Sequence, residues 1–365
     1  MKYQPFMDYY PEQPWLPFSE LLMEWEEKFH KLMLNDHLRM VAYETAIKSV
    51  VKQGDVVLDL GAGTGILSQW ALEAGAKKVY AIEMDLEILK IAVQRIIRFD
   101  FSERFIPINR LSYEVSLPEK VDVVISEIIG NLADNEDFQP IIQDALKRFL
   151  KPGGRAIPQS VFSYIVPIAS DKAYQCVKTK NIATLDPSKY SLAGLLKDKH
   201  SVNPFNMYYD TVLPSTCYLS KPEQLKCYEG QWDQPSVYSL DMKFVIDRPG
   251  MLTGFKGYFV ANLAKDVLLD ISGDDIIART ASDSWKHAYL PIEMPIAVHT
   301  GDVLHLAFSR FNPPESSNYF RQIYRWQGFV ERGSEIIGKF DQCLDESQLN
   351  HHQSQCQPSV LPSLA

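Results

Sequence analysis

The sequence predicts a two-part molecule: a Rossmann-like α/β half with a parallel sheet, followed by a β-rich half of β-barrel or β-sandwich pattern. Three observations predict it. Between residues 55 and 149 short apolar runs alternate with segments of helical period. A glycine-rich run, Leu58-Asp59-Leu60-Gly61-Ala62-Gly63-Thr64-Gly65, joins the first apolar run to the first of those helices. From 207 to 333 the helical period fades and short alternating strands replace it. The chain of 365 residues has room for two to three domains at about 150 residues each, and it can bury a large core without disulfide staples.

Residues 18–50 read as two helices. Leu21, Leu22, Trp25, Phe29, Leu32 and Met33 recur at three- and four-residue steps, and Val41, Ala42 and Ala46 form a second apolar face after Asp36. Strands are expected at 56–60, 78–82, 105–108 and 121–125, with helices at 65–73, 86–98 and 138–149, the last ended by Lys151-Pro152-Gly153-Gly154. Alternation of this kind implies a parallel sheet covered on both faces, with ligands beyond the carboxyl ends of its strands. Residues 155–166 read as a strand pair. Residues 170–205 are polar and Lys-rich, either a surface excursion or a protruding arm. Strands follow at 237–246, 252–260, 267–271, 288–291, 303–308 and 324–330. The expected division is a helical segment over 1–50, a nucleoside-binding domain over 51–158, a β-barrel-like domain over 159–335, and a disordered Gln-, Ser-, His- and Pro-rich tail over 336–365.

Composition narrows the function classes. Lys plus Arg is 37 against 46 Asp plus Glu, a net charge of −9, which argues against sequence-independent nucleic-acid binding and leaves a cationic substrate open. Cys176, Cys217, Cys227, Cys343 and Cys356 show no C-x-x-C spacing. Reduced thiols are expected, with the cytoplasm as compartment and the nucleus open. The aromatic, proline-rich start lacks the pattern of a signal peptide, and no apolar run approaches the about 20 residues of a membrane span. No metal site is expected.

Glycines between a strand and a helix let the backbone turn sharply and approach a ligand. Glu83 ends the second strand, 22 residues after Gly61, where an acid can accept both ribose hydroxyls. A dinucleotide fingerprint reads G-x-G-x-x-G, and here the third glycine comes one residue early. The run D-x-G-x-G-x-G resembles motif I of class I S-adenosylmethionine methyltransferases, with NAD as the remaining alternative. That resemblance assigns Asp59, Gly61, Gly63, Gly65 and Glu83 to the cofactor, with Leu111 and Ser112 on the adenine side.

The fourth strand runs into Ser126-Glu127-Ile128-Ile129-Gly130-Asn131-Leu132-Ala133-Asp134-Asn135-Glu136. Two carboxylates converging beyond a strand end can grip one guanidinium bidentately. This segment, S-E-x-x-G with a second Glu nine residues after the first, resembles the double-glutamate hairpin of the protein arginine methyltransferases. His30-Lys31-Leu32-Met33-Leu34-Asn35-Asp36-His37-Leu38-Arg39, with Tyr43, resembles the same family's H-x-x-M-L-x-D-x-x-R segment. The likeness spans about residues 28–335. It implies S-adenosylmethionine as cofactor, Glu127 and Glu136 on the acceptor guanidinium, and Asp36 as a catalytic acid–base group. Arg39 would pair with the cofactor's carboxylate, while Met33, Ser284 and Trp285 would line the acceptor pocket. A basic protein substrate and a homodimer formed through an arm at 170–205 complete the implied picture.

The sequence also departs from the family. Where T-H-W is usual it reads Asp283-Ser284-Trp285, so Ser284, or His287 two residues past Trp285, must serve Asp36. Ile128 and Asn131 stand where aromatics are frequent, and Trp25 and Phe29 replace tyrosines out of register. These changes keep two alternatives alive: a small amine or another side chain as acceptor, and a non-catalytic cofactor-binding scaffold. Glu127, Glu136, Asp36, Asp134 and Asp137 are expected around one acidic mouth.

Overall fold

A computed structural model describes residues 9–17, 27–196, 203–230, 235–312, 322–345 and 349. Helices α1 (Glu27–Asn35) and α2 (His37–Val50) meet at Asp36, whose side chain caps α2 by accepting the Arg39 N–H at 3.3 Å. The alternating half then runs β1 (Val56–Leu60), α3 (Ile66–Glu73), β2 (Lys78–Glu83), α4 (Leu86–Arg98), β3 (Phe105–Asn109), β4 (Val121–Ser126), α5 (Phe138–Phe149) and β5 (Leu150–Ile157). Its strands form one parallel sheet in the order β3-β2-β1-β4-β5. Every residue of β1 is buried, as the uninterrupted apolar run of a central parallel strand requires. Asp85 starts α4 by accepting the Glu87 and Ile88 N–H groups.

The second half holds β6 (Ser160–Ile168), α6 (Asp171–Lys178), α7 (Leu192–Leu195), β7 (Tyr209–Thr211), β8 (Glu223–Glu229), β9 (Tyr238–Val245) and β10 (Gly250–Ala264), then β11 (Val267–Asp270), β12 (His287–Val298), β13 (Val303–Phe311), β14 (Ile323–Arg332) and β15 (Glu335–Asp345). These antiparallel strands form two sheets, β7-β12-β10-β6-β8 with β11 on β10, and β15-β14-β13-β9. Of the two patterns the sequence allows, the described strands form facing sheets rather than one closed barrel. Phe255 of one sheet meets Phe340 of the other at 5.5 Å between ring centroids, and the Trp326 indole N–H donates to the Pro291 carbonyl at 2.8 Å.

Several expectations change. The strand pair at 155–166 is divided: β5 closes the parallel sheet and β6 opens the antiparallel half. Over 171–196 the chain packs against the sheet rather than projecting, because Ala173, Val177, Leu192 and Leu195 give its short helices a buried face. Residues 336–345 belong to β15, whose pairing with β14 supplies backbone bonds that a polar sequence alone does not advertise. Residues 346–348 and 350–365 of the expected tail lie outside the described residues, as do Leu21, Leu22, Trp25 and the Phe29 side chain. Strands β7 and β8 were not foreseen. No helix among the described residues is long and apolar enough to cross a membrane.

The two halves share apolar packing. Tyr43, Ala46 and Ile47 of α2 are buried in the same core as Phe259 and Leu263 of β10, Ile271 and Trp285. Helix α2 thereby wedges between the parallel sheet and the antiparallel sheets, and it brings Arg39 and Tyr43 to the seam.

Candidate functional site

Beyond the carboxyl ends of β1, β2 and β4 lies a cavity of about 230 Å³. Its parallel-sheet wall is mostly backbone. The Gly61 and Ala62 N–H groups donate to the Ile82 carbonyl at 3.0 and 2.9 Å, fastening the turn to β2. Gly61 and Gly63 line the cavity at φ +72° and +53°, in the left-handed region that favours glycine. Gly65 does not line it. A Cβ there would lie 2.8 Å from the Ala92 Cβ, so this glycine serves the contact of α3 with α4. Glu83 lines the cavity and also steadies the loop: its carboxylate accepts the Gly63 and Asp85 N–H groups, each at 2.9 Å. Burial raises its pKa against those bonds. Leu111 and Ser112 line the same end, with Met84, Arg110 and Tyr113.

Asp59 is a second correction. It is fully buried beneath the loop, accepts the Ser68 hydroxyl at 2.6 Å and does not reach the cavity. Burial pushes its pKa up to about 7.

The opposite wall is assembled from distant segments. His30, Met33, Arg39 and Tyr43 come from the N-terminal helices, Glu127, Ile128, Asn131 and Glu136 from the hairpin after β4, and Asp210, Ser284 and Trp285 from the antiparallel half. Arg39 and Glu127 form an ion pair, and the guanidinium lies 5.3 Å from the centroid of the Trp285 ring. Burial lowers the Arg39 pKa, opposed by Tyr43, Asp36 and Glu136. His30 stays neutral near pH 7, since burial and Arg39 hold its pKa down to about 4.

The structure decides between the two partners proposed for Asp36. The Ser284 N–H and hydroxyl donate to its carboxylate at 2.9 and 2.7 Å, joined by the Ser282 hydroxyl at 2.5 Å. His287 is turned away and fully buried. Its Nδ1 accepts the Leu213 N–H at 2.9 Å and its Nε2 faces the Ile271 and Gly273 carbonyls, while burial and Lys256 hold its pKa well below the usual value. Asp36 is itself buried behind Ser284, so of this pair only the serine faces the cavity.

The hairpin is closed by reciprocal backbone bonds between Gly130 and Ala133. Asn131 donates to the Asp210 carboxylate at 2.8 Å and to the Trp285 carbonyl at 3.2 Å, and the Trp285 indole N–H donates to the Ile129 carbonyl at 2.5 Å. The expected acidic mouth thins accordingly. Glu127 and Glu136 line the cavity, whereas Asp134 and Asp137 point into the antiparallel half, where Arg310 meets them. Asp210 and Arg110 escaped sequence reading. Asp210 lies on a three-residue strand, too short for a period to show, and only its spatial neighbours mark it.

A parallel sheet ordered 3-2-1-4-5, with a glycine turn and an acid at the ends of its first two strands, defines a methyltransferase-type Rossmann-like fold. Residues 42–164 match the family model described as ribosomal protein L11 methyltransferase (PrmA), and residues 160–325 match that described as PRMT5 oligomerisation domain. Each model covers less than half of the chain; together with the double-glutamate hairpin the two matches support a likeness to the protein arginine N-methyltransferases. It is 26% identical over 330 residues to protein arginine N-methyltransferase 5 of Xenopus laevis, covering 85% of this chain and 49% of that protein. It is 34% identical over 148 residues to the probable protein arginine N-methyltransferase 6.1 of Oryza sativa subsp. indica, covering 40% of this chain and 39% of that protein. The chain thus spans half or less of these relatives' length. In fold it is similar to the PRMT1 enzyme–prozyme complex of Trypanosoma brucei, with a TM-score of 0.70 at 18% identity, covering 86% of this chain and 96% of that one. Protein arginine methyltransferase 10 of Arabidopsis thaliana gives 0.70 at 22%, covering 87% and 97%.

Proposed function

We propose that the chain transfers a methyl group from S-adenosylmethionine to a guanidinium nitrogen of an arginine in a protein substrate. The observation that carries this reading is that Glu127 and Glu136 line the same cavity as Gly61, Gly63 and Glu83. The site fits the cofactor by its own features: two glycines at positive φ leave open backbone, and a carboxylate stands at the ribose position beside them. Gly61, Gly63, Glu83, Leu111 and Ser112 would hold the nucleoside, and Arg39 its carboxylate. When bound, S-adenosylmethionine supplies an electrophilic methyl on a sulfonium.

The chain's residues do the rest. A free arginine keeps its proton at neutral pH, with a pKa above about 12, and its nitrogens are poor nucleophiles. Glu127 and Glu136 grip the guanidinium, draw its positive charge to the bonded nitrogens and leave one nitrogen facing the methyl. Orientation supplies part of the acceleration and dispersal of charge another. The Ser284 hydroxyl, bonded to Asp36, offers a path for the proton released from the methylated nitrogen. Met33 and Trp285 complete the acceptor pocket.

The proposal extends to a homodimer and to a cytoplasmic compartment, with the nucleus open. The oligomerisation family model over residues 160–325 supports the first. Incubation with labelled S-adenosylmethionine and a Gly/Arg-rich peptide, followed by mass spectrometry, tests the activity. Methylarginine is expected. Label transferred only to a small amine or to another side chain favours the alternative acceptor that Ser284, Asn131 and Ile128 leave open.

A further inference from the structure

Asp134 and Asp137 flank Glu136 in one tight turn, closed by the Asp137 N–H donating to the Asp134 carbonyl at 3.1 Å. Both ends of the turn take costly backbone, Ala133 at φ +74° and Asp137 at φ +56°. Something must hold it, and the holder comes from the other half. Arg310 on β13 is fully buried, and its Nη2 donates to the Asp137 carboxylate at 2.6 Å. Its Nε lies 3.8 Å from the Asp134 carboxylate. Tyr228 of β8 and Tyr238 of β9 donate their hydroxyls to one oxygen of Asp134, each at 2.8 Å, and Tyr324 of β14 donates to the other at 3.1 Å. The remaining Arg310 nitrogen donates to the Ser236 carbonyl.

Four strands of two sheets therefore converge on two carboxylates that face away from the cavity, on either side of one that faces it. A buried arginine with two carboxylates is expensive as mere stabilisation, since apolar packing of the same volume often serves as well. It is directional, however, and fixes the turn in rotation as well as in place.

We propose that Arg310, with Asp134 and Asp137, is the positioning device for Glu136, so that the acceptor half of the site is aligned by the antiparallel domain. None of the three lines the cavity. The inference rests on the arginine-binding reading of Glu136 for its consequence, and on the geometry alone for the alignment.

The test uses the whole 365-residue chain with Asp137→Asn, Tyr228→Phe, Arg310→Lys and Arg310→Met. Three quantities are read: hydrogen exchange over 128–137 against that over 61–65, affinity for S-adenosylhomocysteine, and affinity for a Gly/Arg-rich peptide in its presence. Exchange over 128–137 is expected to rise while 61–65 holds. S-adenosylhomocysteine affinity should stay within about twofold, peptide affinity should fall about tenfold, and Arg310→Lys should recover part of what Arg310→Met loses. Unchanged hairpin exchange in Asp137→Asn and Tyr228→Phe overturns the proposal, and so does a parallel loss of both affinities, which marks general loosening. If the Arg310 variants do not fold, Tyr228→Phe, which removes one hydroxyl only, decides. A wild-type chain that binds no peptide refutes the arginine reading, while hairpin exchange still decides the alignment.

Discussion

The two walls of the cavity are built on different principles. The wall under the nucleoside position comes from one stretch, 60–84, with 110–113 beside it, and its geometry is fixed by backbone: the positive-φ glycines Gly61 and Gly63 and N–H groups tied to β2. The acceptor wall gathers Met33, Arg39, Glu127, Glu136, Asp210 and Ser284, and bonds from far apart in sequence hold it: Ser284 to Asp36, Asn131 to Asp210, Arg310 to Asp137. A backbone wall tolerates change around it as long as its glycines stay. A wall of side chains is only as exact as its supports, and it is where chains of one fold can diverge in acceptor.

The largest expected effect separates these walls. Glu127→Gln keeps the side-chain volume and removes the charge that would hold a guanidinium. Methyl transfer should fall by about 10²-fold or more, while S-adenosylhomocysteine affinity, read by calorimetry, changes far less, by the loss of the Arg39–Glu127 ion pair alone. An unimpaired variant would sink the assignment of Glu127, and an equal loss of both would mean that the walls are not separable.

Next in size is a break behind the backbone wall, in the contact of α3 with α4. Gly65→Val places a branched side chain at φ +76° against the Ala92 backbone. Overpacking and backbone strain together should cost about 3 kcal/mol, seen as a lower urea midpoint with the m-value unchanged. Stability close to that of the wild type would mean that α3 and α4 separate freely there.

What the sequence disclosed follows the same divide. The parallel half was legible element by element, because each apolar run and each helical period is a local pattern. Gly61, Gly63 and Glu83 were legible with it, being tied to strand ends. Gly65 and Asp59 were read one step too far. A loop motif marks residues that shape the turn as well as those that face the ligand, and only the position of Ala92 and the burial of Asp59 tell them apart. On the acceptor wall the nine-residue spacing of Glu127 and Glu136 was visible, but which acids of that run face the cavity depends on Arg310, 173 residues from Asp137. Strand β15 was missed although it pairs with β14 through a tight hairpin, Arg332 opposite Glu335, because its residues break the expected alternation: Ile336 is exposed and Gln342 is buried.

Asp59 gives the third prediction. Its folded pKa, about 7, lies above the unfolded value near 3.8. Between those values the folded state binds more protons than the unfolded state, so stability falls as pH rises from about 4 to about 7 and is level above that. Asp59→Asn removes this slope. Urea unfolding of both chains across pH 4 to 8 should give a flatter profile for the variant, and parallel profiles would place the proton elsewhere. Because Asp59 lies under the backbone wall without entering the cavity, peptide affinity should be untouched.

The smallest effect tests the acceptor wall where it departs most from the pattern it resembles. Ser284 occupies the place of a usual histidine, and its hydroxyl is one of several donors to Asp36. Ser284→Ala removes that hydroxyl but leaves the Ser284 N–H and the Ser282 hydroxyl on the same carboxylate. Asp36 therefore keeps its place, and the loss should be about 1 kcal/mol, the size of one hydrogen bond. If the hydroxyl serves only to brace Asp36, stability and turnover fall together by that amount. If it also carries the released proton, kcat falls further than stability does, by about tenfold, while KM for the peptide holds, because the missing group acts after the guanidinium is bound. The split between kcat and KM thus decides whether this serine is a support of the wall or part of its chemistry.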